Sequence, residues 1–126
     1  MQLLIDTHIL IWFLEGNNLL SKPRRRIIAD SNNDVSMSIA SLWEIAIKVS
    51  IGKLTLNKPL ADVIKQIGIE DIGILPISPE HTLQVSILPF HHRDPFDRII
   101  ISQAQIENLS VMTDDQEFGN YGIKII

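Results

Sequence analysis

The sequence predicts an α/β fold: a largely parallel sheet with helices covering both faces. Three observations carry this expectation. Short apolar runs of strand length alternate with longer runs of helical periodicity along the whole chain. Acidic residues follow directly on two of the short runs. No internal repeat, low-complexity tract or long linker interrupts the alternation. Alternating strands and helices favour parallel pairing through helical crossovers, which buries the sheet on both sides. At 126 residues and 45% hydrophobic, the chain is long and apolar enough for one full core, so a single domain spanning residues 1–126 is expected.

Each element follows from local signals. "QLLI" reads as a short buried strand ending at Asp6, and "HILIWFLEG" as a helix stopped by Gly16 and Asn17. "SKPRRRIIAD" starts a second helix, with Ser21 as N-cap and Pro23 in the first turn. "VSMS" is a second strand. From Ile39 to Ile51 a helix is predicted, because Ile39, Leu42, Trp43 and Ala46 share one face and Gly52 ends it. "KPLADVIKQIGI" gives another helix with Asn57 and Pro59 at its start, and "GILPI" a short strand. "SPEHTLQVSIL" is a helix opened by Ser78 and Pro79. After "HHRDP" a helix runs from Pro95 to Glu107, then "SVMT" is a strand, "QEFG" a short helix and "YGIKII" a final strand.

Composition excludes several function classes. The absence of cysteine rules out disulfides and thiolate metal sites, so any metal must be held by oxygen or imidazole, and it suits a reducing cytoplasm. The N-terminal apolar run is interrupted by Asp6 and His8 and lacks a basic leader, so neither a signal peptide nor a membrane span is expected. A net charge of −4 argues against a general polyanion binder. The densest basic group, "KPRRR" from Lys22 to Arg26, reads as a solvated helix face or a charged N-terminal turn, with nucleic-acid contact as the lesser alternative. There is no G-x-S-x-G elbow, no G-x-G-x-x-G and no phosphate-binding G-x-x-x-x-G-K. His8, His81, His91 and His92 have no H-x-x-x-H spacing and read as surface, loop or cap residues.

Four carboxylates remain. Asp6 and Asp115 each follow a strand, where open α/β sheets place their sites, although each also has a reading as a helix cap. Glu44 lies two turns inside an apolar helix if Ser38 is its cap, and a buried carboxylate there needs a metal or another cation. Asp94 with Pro95 suffices to start the last long helix, which frees Asp97 in its first turn for another purpose. Carboxylates gathered at one sheet edge repel unless a cation joins them, and hard oxygen donors suit Mg²⁺ or Mn²⁺. Such a site fits phosphoryl chemistry, in which the metal activates a water for in-line attack.

The segments "LLIDTHILIW", "SMSIASLWEIAIK", "HHRDPFDRIIISQA" and "VMTDDQEFGNYGI" occur in this order and together cover nearly the whole chain. In this they resemble the PIN-domain ribonucleases, specifically the VapC-like toxins of bacterial toxin–antitoxin pairs. The resemblance implies a three-layer α/β/α sandwich and a cytoplasmic, Mg²⁺-dependent endoribonuclease toxin in which Mn²⁺ can substitute. It makes Asp6, Glu44, Asp97 and Asp115 both the catalytic set and the metal-binding set. Asp6 and Asp97 are then the main ligands, while Glu44 and Asp115 complete the pocket, with Asp114 beside them at a variable position. Thr7 and Thr113 are supporting candidates, and Arg93, Arg98 and Lys48 are candidates for RNA phosphates. The implied partners are RNA, a cognate antitoxin and a second copy of the chain, as a homodimer or a dimer of toxin–antitoxin pairs. Two other readings compete: the same fold as a non-catalytic binding module, and a receiver-like phosphoacceptor domain. The second lacks the paired early acids and the late lysine it would need.

Overall fold

Side chains along a strand alternate between faces, so a strand apolar at three consecutive positions must be covered on both sides. Strand β1 (Gln2–Ile5) meets this condition, with Leu3, Leu4 and Ile5 all fully buried. The computed structural model describes residues 1–126 and places β1 at the interior of a four-stranded parallel sheet. The order is β3-β2-β1-β4, with β2 at Asp34–Ser38, β3 at Gly73–Leu75 and β4 at Ser110–Met112. Ile5 pairs with Met37 on one side and Met112 on the other, so Asp6, Ser38 and Thr113 leave the sheet side by side.

Helices cover both faces, which gives the three-layer α/β/α arrangement. Leu3 and Ile5 pack with α1 (Thr7–Glu15), α2 (Lys22–Ala29), α3 (Ile39–Ser50) and α4 (Leu60–Ile69). Leu4, pointing the other way, packs with Ile100, Ile101 and Ala104 of α6 (Pro95–Glu107) and with Phe118 and Tyr121. Helix α5 (Pro79–Ile87) lies against α6.

The helix starts are made by the residues the sequence nominates. Ser21 accepts from the Arg24 amide at 3.3 Å, Ser38 from Ala40 at 3.0 Å, and Asp94 from Phe96 at 2.8 Å. Ser78 and His81 exchange bonds as a capping box, which gives His81 the cap role expected of it. Gly16 ends α1 at φ +65°, a left-handed conformation that glycine adopts without strain.

Two elements differ from expectation. Helix α4 begins after Pro59 without a side-chain cap, and the Asn57 amide instead donates to Glu15 at 3.1 Å. The final strand is not formed: "YGIKII" contributes only a single parallel bridge between Val111 and Ile125. Its first residue, Tyr121, is taken into the 3-10 helix of residues 116–121, which extends the short helix expected at "QEFG", because Asp115 caps that turn and Phe118 and Tyr121 are buried behind it.

Candidate active site

The sheet edge where β1, β2 and β4 end is built from the turns that follow them. Asp6 caps α1, its Oδ1 accepting from the Ile9 amide at 2.9 Å, which fixes a buried carboxylate at the end of β1. Burial pushes the Asp6 carboxyl up from its ordinary range. Bonds from Thr113 and the Ile9 amide and the charge of His8 pull it back, while Asp114 adds to the rise.

Glu44 is reached through the next residue of the same turn. With Ser38 as cap, Glu44 sits deep in α3 and is only 6% exposed, a position no carboxylate holds without partners. The Thr7 hydroxyl donates to Glu44 Oε1 at 2.8 Å and also lies 2.8 Å from the buried Ser41 hydroxyl. Lys48, one turn on, donates to Glu44 Oε2 at 2.7 Å. That bond, together with the charges of Glu44, Asp94 and Asp97, raises the Lys48 ammonium against the opposing effect of its burial.

Asp97 stands in the first turn of α6, with the cap bonds made by Asp94. Its carboxyl is pushed up from 3.8 to about 6, first by burial and next by the charge of Asp94. Glu44 and Asp115 push in the same direction, and His92 pulls back. Asp97 therefore senses two of the other three predicted acids from across the fold.

Asp115 completes the group. Its amide donates to Thr113 Oγ1 at 3.0 Å and its Oδ1 accepts from the Glu117 amide at 3.0 Å. Its Oδ2 lies 2.7 Å from His92 Nε2, and His92 Nδ1 lies 3.1 Å from the Tyr121 hydroxyl. The donor atoms of His92, Asp115 and Glu117 fall within 4.8 Å of one another. Two threonines thus sit between the acids: Thr7 ties the turn of Asp6 to the Glu44 carboxylate, and Thr113 holds the backbone amide of Asp115.

Three single residues have partners that the sequence did not show. His92 lies in the loop before α6, as expected, but its side chain is buried and bonded to Asp115, whereas neighbouring His91 is exposed. Its signal was weak, since the partner lies 23 positions away in the chain. Arg98, a candidate for RNA phosphates, is buried and donates to the carbonyls of Val85, Leu88, Pro89 and His92 at 3.0–3.3 Å. It ties together the end of α5 and the loop before α6 and is closed to a substrate. Asp114 pairs with Arg24, whose guanidinium also holds the carbonyls of Thr113 and Ile126 at 2.9 Å. Arg25 likewise binds the carbonyls of Phe13 and Asn17, so two of the "KPRRR" arginines serve the fold.

The residues fit a divalent cation. The donors are carboxylates, two of them hold protons above their ordinary range, and Lys48 is the one lysine or arginine bonded to any of the four acids. Charge of this density is relieved by a hard dication.

The PIN domain family model matches residues 3–124, and the chain belongs to that family, whose members are generally divalent-metal nucleases. Solved structures share its fold. A chain from DNA-bound VapBC of Salmonella typhimurium superposes with a TM-score of 0.75 at 19% identity, covering 100% of this chain and 97% of that one. A chain from VapBC2 of Rickettsia felis, bound to a promoter DNA fragment, gives 0.74 at 18% identity, covering 100% and 98%. A chain of FitAcB from Neisseria gonorrhoeae gives 0.62 at 20% identity, covering 98% and 96%. No curated protein sequence matches the chain.

Proposed function

We propose that this chain is a Mg²⁺-dependent endoribonuclease of the VapC type, which hydrolyses RNA phosphodiester bonds with water as the nucleophile. The observation that supports it best is the placing of Asp6 at the end of β1, Asp115 after β4, Asp97 in the first turn of α6 and buried Glu44 in α3, where Glu44 and Asp115 raise the Asp97 carboxyl by their charge. Asp6 and Asp97 would hold the ion, and Glu44 and Asp115 would complete the pocket and orient the attacking water. Bound Mg²⁺, or Mn²⁺ in its place, supplies Lewis acidity that makes the attacking water more acidic and offsets charge developing on the phosphoryl oxygens. Thr7 keeps the Glu44 carboxylate from rotating, so its orientation is set before substrate arrives. Lys48 and Arg93, both open to solvent, are the cations available to RNA phosphates.

The partners of this reading are RNA, a cognate antitoxin that neutralises the enzyme, and a second copy of the chain. Exposed Trp43, Phe90 and Ile77 beside Phe96 and Arg93 line an apolar groove of about 480 Å³ next to the acids, a surface suited to protein contact. No helix is long and apolar enough to cross a membrane, and we assign the activity to the cytoplasm, where RNA and an antitoxin would meet it. Purified protein should cleave RNA with Mg²⁺ or Mn²⁺, stop in EDTA, and lose cleavage in Asp6→Asn and Asp97→Asn. Cleavage that survives both substitutions overturns the reading.

A further inference from the structure

We propose that His92, held by Tyr121, is a positioning residue that fixes the orientation of the Asp115 carboxylate. The inference rests on the acidic site being a metal site, as above, and concerns a residue outside the four acids. A carboxylate only accepts, so the 2.7 Å contact to Asp115 Oδ2 requires the proton on His92 Nε2. In the neutral ring Nδ1 then carries the lone pair, and it accepts from the Tyr121 hydroxyl at 3.1 Å. With the ring neutral the chain runs Tyr121 O–H to Nδ1 and Nε2–H to Asp115; with the ring protonated Nδ1–H donates to the Tyr121 oxygen instead, and in both forms Nε2–H stays on Asp115.

The ring cannot swing away. It packs edge-on against Phe118 with ring centres 5.1 Å apart, and the His92 carbonyl is held by Arg98 at 3.2 Å. Tyr121 is itself 9% exposed, and its carbonyl accepts from the Gln105 amide at 3.1 Å. Asp115 needs such a partner more than Asp6 or Glu44 does. Its side chain is 40% exposed and caps only a 3-10 helix of six residues, whereas Asp6 and Glu44 are buried among their partners. Partners of this kind, one shell out from a metal, typically alter affinity or activity by about 10–100-fold when removed.

The test compares His92→Ala, His92→Gln, Tyr121→Phe and Asp115→Asn in the full chain, each checked for native circular dichroism. Ring ¹⁵N shifts in metal-free protein report the tautomer, Mn²⁺ titration followed by electron paramagnetic resonance reports affinity, and RNA cleavage reports kcat and KM. The proposal expects the Nε2–H tautomer in wild type. It expects Mn²⁺ affinity and kcat to fall by about 10–100-fold in His92→Ala with KM unchanged, and to be largely restored in His92→Gln, whose amide N–H reaches the same place. Adding His92→Ala to Asp115→Asn should then cost little more than Asp115→Asn alone. An Nδ1–H tautomer overturns the proposal, as does a folded His92→Ala with wild-type Mn²⁺ affinity and kcat, or full additivity with Asp115→Asn. Should His92→Ala fail to fold, Tyr121→Phe decides, since it keeps the ring and removes only the hydroxyl: an unchanged Mn²⁺ titration and tautomer population would overturn the relay. Wild type that binds Mn²⁺ but cleaves no RNA would end the ribonuclease reading and leave the positioning result standing.

Discussion

At the scale of single residues, the chemistry is set by carboxyls held where they would rather be neutral. A carboxyl whose folded pKa is raised favours the fold while protonated, and that advantage is lost as pH rises from the unfolded value of 3.8 through about 6. Metal-free protein should therefore lose stability over that window. Asp97→Asn should recover it, by ~1–2 kcal/mol at neutral pH once the partial exposure of Asp97 is allowed for. Chemical denaturation in EDTA at pH values either side of 6 checks this, and equal stability for both proteins across the window would refute it. Mn²⁺ affinity should fall in the same window as pH drops, because the ion must displace the proton. Thr7→Val removes the hydroxyl from Glu44 and leaves a buried carboxylate oxygen short of a donor, at an expected cost of about 1–3 kcal/mol in urea denaturation.

At the scale of elements, the start of α6 divides its labour between two aspartates. Asp94 makes the cap bonds and Asp97 does not, so Asp94→Ala should cost ~1 kcal/mol of stability while leaving the four acids in place. Cleavage lost in Asp94→Ala at temperatures where it stays folded would contradict this division. Arg98→Met should be more damaging, since four carbonyls lose their donor at once, and a loss of at least ~2 kcal/mol is expected in denaturant melts. These two helix-start residues also show what was readable in the chain. Caps act within three residues, so Ser21, Ser38, Ser78 and Asp94 were legible from local sequence. Arg98 and His92 were not, because their partners are carbonyls and a carboxylate supplied by other elements. A buried arginine and an exposed one look alike until the carbonyls around them are known.

At the scale of the whole molecule, the fold was legible because hydrophobic periodicity alternates cleanly between strand and helix. The last segment defeated that logic, since "YGIKII" has the composition of a strand but only Ile125 pairs with β4. The four acids were legible as positions, at strand ends and helix starts, and their proximity became visible only once β1 stood between β2 and β4. Gathering them has a global signature. Mg²⁺ at 100 times its dissociation constant should stabilise the folded chain by about 2.7 kcal/mol, read as a rise in thermal midpoint that EDTA reverses and Asp97→Asn removes. An unchanged midpoint at saturating Mg²⁺ would argue against a metal site in this pocket.

The strand order also sets a clock. Because β4 docks beside β1 while being the last strand made, a growing chain carries Asp6 and Glu44 long before Asp97 and Asp115 exist. At 5–20 residues per second, roughly ten seconds separate the first acid from the fourth. Until Asp97 is made, the nascent polypeptide on the ribosome, surrounded by RNA, has at most two of the four acids and no means of bringing in the rest.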